Sequence, residues 1–144
     1  MDREQELREI REAIDAGNLT LQHLNRAREE LNAASNFGIA DMLGFDLIGG
    51  IGKHMKLSSA QKEMEAAKWQ VTCFQKELRD VSSVLNFQVD IGGFLTFADF
   101  FFDGILADVF VQSKISDAKN QVDRAVYQIN QIMSDLYRME SEVR

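Results

Sequence analysis

Residues Ala60, Met64, Ala67, Val71, Phe74, Leu78, Val81 and Leu85 are apolar and are spaced alternately by four and three. Such a series falls on one side of an α-helix, whose turn takes about 3.6 residues, and would scatter over both faces of a strand. It predicts a long helix with a continuous seam that must be buried against other helices. Moving 58 positions down the chain gives Ala118, Val122, Ala125, Ile129, Ile132, Leu136, Met139 and Val143, all apolar again. A second long helix of the same phase follows.

Equal phase alone is weak support for a shared origin, because any two amphipathic helices can show it. The identities at the same offset carry more weight. KLSSAQ (56–61) matches KISDAK (114–119), Trp69 faces Tyr127, Gln70 equals Gln128, and Ala40-Asp41 equals Ala98-Asp99. These matches predict an internal duplication, with one repeat from about 37 to 85 and the other from about 95 to 143. In each copy a serine precedes the seam. Ser58, with Gln61 three residues on, and Ser116, followed by Asp117, are placed to cap the long helices, which are expected to begin there and run about 40 Å.

Ahead of both copies, Leu7, Ile10, Ile14, Leu21, Leu24 and Leu31 hold one heptad phase straight through Ala16-Gly17-Asn18. The spacing predicts one helix from about 3 to 35, with a break at Gly17 as the alternative, since glycine costs a helix interior about 1 kcal/mol relative to alanine. The chain has no proline to interrupt any of these helices. Two apolar, Gly- and Phe-rich stretches of about twenty residues connect the long helices. They are too greasy for flexible linkers and are expected to form short helices packed on the bundle. The fold expected is therefore all-α: a single domain over 1–144, an elongated helical bundle of three long helices and two short apolar helical segments.

The second apolar stretch, FLTFADFFFDGILADVF (94–110), contains three aspartates, and each carboxylate has to reach water or a partner. Its strongly apolar side chains contribute about −0.5 kcal/mol each to membrane insertion, against about +3 kcal/mol for each aspartate, so no transmembrane segment is expected. On a helical wheel Thr96, Asp99, Asp103 and Ala107 form one stripe opposite Phe94, Phe97 and Phe101. Asp108 falls beside the phenylalanines instead. Solvated or capping roles are the first expectation for these acids. The sharper alternative is a carboxylate-lined ligand or divalent-cation site built between the copies from Asp41, Asp99, Asp103 and Asp108. The phenylalanines are expected to be mostly core, with Phe100, Phe102 and Phe110 as candidates for a partner or self-association surface. Trp69 and Tyr127, beside the seam, are expected to pack rather than to form a ligand cage.

Composition narrows the function classes. A net charge of −7 repels a phosphate backbone, so no nucleic-acid partner is expected. Cys73 is the only cysteine, which excludes an intrachain disulfide or a cysteine metal cage and suits a cytoplasmic protein. The acidic, amphipathic start of the chain lacks the pattern of a signal peptide. His23 and His54 stand alone and read as surface or interface residues. Gly49, Gly50 and Gly52 ahead of Lys53 lack the P-loop spacing, and no catalytic motif is present. No cofactor is implied. The expectation is a small cytoplasmic interaction or scaffold protein, more readily non-enzymatic than an enzyme, with cation binding and peripheral membrane attachment as the alternatives.

Overall fold

The computed structural model describes the backbone of residues 2–42, 49–83, 85, 91–100 and 115–144, and the side chains of 2–33, 62–83, 85, 91–99 and 118–144. Its elements are α1 (Arg3–Met42), α2 (Gly49–Ser82), α3 (Ile91–Phe100) and α4 (Ile115–Val143). No strand occurs among the described residues. The protein is an all-α helical bundle.

α1 begins with a reciprocal cap that the sequence reading overlooked. The Gln5 backbone N–H donates to Asp2 Oδ1 at 2.8 Å, and the Asp2 N–H donates back to Gln5 Oε1 at 3.2 Å. This satisfies two groups that a helix start otherwise leaves unpaired. Glu4 and Glu6 then place negative charge near the positive end of the helix. From there the helix is continuous through Gly17 to Met42, beyond the expected end near 35.

Gly17 is kept by packing rather than by a turn. A methyl group in its place would press on the Met133 sulfur and sit 3.0 and 3.2 Å from two ring carbons of Phe74. α2 and α4 therefore both drive a large side chain against the α1 backbone at this residue.

Two sequence expectations need correction. Ser58 does not cap α2, which starts at Gly49 and carries Ser58 in its interior. The physical reason is that no proline lies between Gly49 and Leu57, so the helix of the buried seam propagates upstream through Ser58 instead of yielding to a cap. The described ends of the first apolar stretch are not a separate short helix either, since 37–42 belong to α1 and 49–56 to α2. Gly49, Gly50 and Gly52 are helical residues at the start of α2. Ser116 is the second residue of α4. The second apolar stretch does supply a short helix, α3.

Contacts across the bundle fix its directions. Arg11, Asn18 and Arg28 of α1 meet Glu140, Tyr137 and Asp123 of α4 at 3.1, 3.3 and 3.0 Å, so rising numbers face falling ones. On the other flank Thr20 meets the Gln70 carbonyl and His23 meets Glu63. α1 is thus antiparallel to both α2 and α4, which run parallel to each other. The backbones of α2 and α4 approach α1 closely but each other much less. Two parallel neighbours need a connection that travels back along the bundle. α3 lies on that return path, with Phe94 edge-on to Phe74 of α2 (ring centroids 5.9 Å apart) and Phe97 under the Arg124 guanidinium of α4 at 5.3 Å.

The heptad seams form the core. Met64, Ala67, Val71, Phe74, Leu78 and Val81 are buried, as are their counterparts Val122, Ala125, Ile129, Ile132, Leu136 and Met139. Leu85 and Val143 pack at the margin. Each fully buried large side chain contributes about 1.5–3 kcal/mol relative to exposure. Matched burial follows from equal heptad phase and does not test the expected duplication.

Candidate functional site

Of the four aspartates proposed for a carboxylate site, the structure describes the side chain of Asp99 alone; Asp41 is placed only as a helical residue of α1. Asp103 and Asp108 lie outside the described residues, as do Phe102, Phe110, the His54 side chain and the Phe100 side chain. Asp99 and Thr96 are exposed, on the polar stripe of the wheel, while Phe94 and Ala98 are buried on the opposite side. The Asp99 carboxylate is tied to α2 through one of its oxygens. Gln75 of α2, only 6% exposed, donates from Nε2 to Asp99 Oδ1 at 3.2 Å and to the Leu95 carbonyl at 3.3 Å. One buried amide thereby uses both hydrogens to hold α3.

The closest gathering of carboxylates among the described residues lies elsewhere. Ligand atoms of Glu9 and Glu12 on α1 and Glu77 on α2 all fall within 4.8 Å of one another. The Glu77 side chain is 20% exposed, and its Oε2 is buried without a hydrogen-bond partner. Burial pushes the Glu77 carboxyl above its ordinary value of 4.5; Lys76, at 3.8 Å, opposes the shift, and Glu12, Asp80 and Glu9 add to it. The heptad pattern places Glu77 beside the seam, but only the axial register of α1 against α2 brings it to Glu9 and Glu12.

A raised folded-state value means that the native chain holds this proton more tightly than the unfolded chain. The stability linked to Glu77 is then fully present below pH 4.5 and is lost as pH rises through the raised value. Glu77→Gln is expected to stabilise the protein at pH 7 by about 1 kcal/mol, from relieved like-charge repulsion and burial of a charged oxygen. Urea unfolding of both proteins at pH 7 and near pH 4.5 checks this: the gain should shrink toward zero at the lower pH.

A second polar strip runs along the same α1–α2 flank. Thr20 is fully buried, with its Oγ1 2.7 Å from the Ala16 carbonyl and 3.0 Å from the Gln70 carbonyl. Its single hydroxyl proton is shared between the two carbonyls, one within α1 and one across the interface. His23 Nδ1 lies 3.7 Å from Glu63 Oε2, an interface histidine as expected. On α4, Asp135 is buried and is held by Arg138, which also donates to Glu142 Oε1 at 2.8 Å. These hydrogen bonds, led by the one to Asp135, raise Arg138 above its ordinary value. Cys73 is a half-buried free thiol.

The aromatic expectation is overturned at two residues. Trp69 is 66% exposed and Tyr127 is 64% exposed, so neither packs in the interior. The reason is angular: on α2 the buried residues Val71, Phe74 and Leu78 share one side, and Trp69 projects almost opposite them, as Tyr127 does from Ile129, Ile132 and Leu136. Leu19 and Tyr137 are also largely exposed. Asn18 reaches α4 and Thr20 reaches α2, which turns the intervening Leu19 outward at the middle of α1. Large apolar side chains are therefore presented to solvent around the waist of the bundle.

No helix among the described residues is long and apolar enough to cross a membrane. The chain matches no protein-family model, no curated protein and no solved structure.

Proposed function

We propose that this is a small cytoplasmic interaction or scaffold protein that self-associates through the aromatic side chains exposed at its waist. The observation that carries this reading is the exposure of Trp69 and Tyr127 at equivalent positions of α2 and α4. Tryptophan and tyrosine are the residues most enriched where protein surfaces bind one another, because they bury a large apolar area at a low cost in side-chain entropy. Leu19 and Tyr137 are large side chains exposed at the waist as well. The polar groups described above support the reading from the other side: Thr20 and Gln75 hold helices together, and Asp135 is paired within α4.

Sedimentation velocity over a range of concentrations tests it. The wild-type chain is expected to pass from monomer to a defined oligomer as concentration rises. The combined variant Trp69→Ser, Tyr127→Ser should lose at least about 2 kcal/mol of association free energy, roughly thirtyfold in dissociation constant. Its unfolding free energy should stay within about 0.5 kcal/mol of wild type, since both side chains are on the surface. A wild-type chain that remains monomeric throughout, or a variant that associates as well as wild type, would overturn the reading.

A further inference from the structure

We infer that α3 is a releasable cover over an apolar cleft between α2 and α4, opening while the three long helices stay folded. This rests on the α3 contacts and is independent of the exposed aromatics at the waist. The backbones of α2 and α4 pack on α1 but stand apart from each other, and α3 bridges them. What α3 covers is apolar: Phe94 lies edge-on to Phe74, and Ala98 is buried beside it.

Three features make α3 the least firmly held of the described helices. It has ten residues, too few to be helical on its own, and Gly92 and Gly93 in its first turn lower its intrinsic helicity. It meets α2 and α4 far less extensively than α1 does. A polar attachment of α3 to α2 runs through the Gln75 amide, which donates to the Leu95 carbonyl and the exposed Asp99 carboxylate, both acceptors that water replaces without penalty once α3 lifts. The Arg124 guanidinium over Phe97 is likewise on the surface. Elements with few buried contacts open at lower free energy than the core they rest on.

The experiment places a reporter thiol on the covered side of α3 and another in the core of α4. In a Cys73→Ser background, Ala98→Cys and Ala125→Cys each substitute a buried alanine. Labelling with a thiol reagent is expected to be at least roughly 100-fold faster at position 98, and nearly independent of low urea there, because only a small surface opens. At position 125 the rate should rise steeply with urea, as global unfolding requires. As a second measurement, Gln75→Ala removes the amide that holds α3. Hydrogen exchange of the Leu95 to Phe100 amides should speed up at least roughly tenfold in that variant, while the Ala125 to Ile132 amides of α4 change far less. Equal labelling rates and equal urea slopes at the two positions, or α3 amides whose exchange Gln75→Ala leaves unchanged, would overturn the inference.

Discussion

Phe74→Ala is expected to lower the unfolding free energy by about 4 kcal/mol, the largest single effect of any residue in the seam. Phe74 is fully buried and is the largest of the fully buried side chains among the described residues. It touches three elements at once: it sits on its own helix, its ring edge lies against the α1 backbone at Gly17, and its ring makes a T-shaped contact with Phe94 of α3. Truncation removes the transfer free energy of an aromatic ring and leaves a cavity at the meeting point of three helices. The rigid α1 backbone cannot move in to fill it. Urea denaturation followed by helical circular dichroism measures the loss. A cost below about 1.5 kcal/mol would mean that the site collapses, and that Phe74 is not the keystone of this interior. α3 should be affected first, because Phe74 is the floor on which Phe94 rests.

The second large effect is expected at Gly17, and its size should depend on the shape of what is added. Gly17→Ala introduces a methyl group that meets the Met133 sulfur and the Phe74 ring edge. The sulfur is near the free end of a flexible side chain and can swing aside, while alanine returns about 1 kcal/mol of helix propensity. The net change should be small. Gly17→Leu has no such escape, since a branched side chain would have to enter space already filled by Phe74, pushing α2 or α4 off α1. A loss of about 3 kcal/mol or more is expected, at the upper end for overpacked cores. Thermal unfolding of the two variants beside wild type gives the comparison. Equal destabilisation by alanine and leucine would show that α1 does not need a close approach here, and that the glycine serves another end.

The same residue shows how far the sequence could be read. Gly17 in Ala-Gly-Asn has the look of a helix stop, yet the unbroken spacing of Ile10, Ile14, Leu21 and Leu24 spoke for continuity, and α1 runs through it. Burial of a seam is worth several kcal/mol, against the single kilocalorie that glycine costs. Periodicity therefore outweighed the local signal. At Ser58 the local signal points to a start, but the structure carries α2 through that residue. A capping box describes a geometry that a helix start can use, and it does not force a start where no proline stops the helix upstream. At Trp69 and Tyr127 residue type points to packing, but the heptad phase that buries Phe74 and Ile132 turns both of them outward.

The candidate groups divide along the same line. That Asp99 would be solvated was legible, because Thr96 and Asp99 share the stripe opposite Phe94 and Phe97. That Gln75 would grip it was not, since the two lie on different helices and nothing in either local pattern refers to the other. The gathering of Glu9, Glu12 and Glu77 was equally hidden.

By itself the sequence determined the class of fold, the number of long helices and the face that each one buries. These follow from the period of apolar residues, a local property of a regular helix. Tertiary structure alone decided that α1 stands between α2 and α4, that these two run parallel, and which side chains meet at each level. A seam fixes the angle at which a helix faces its neighbours but leaves it free to slide along its axis. That freedom ends only when particular side chains interlock, as Phe74 and Met133 do against Gly17.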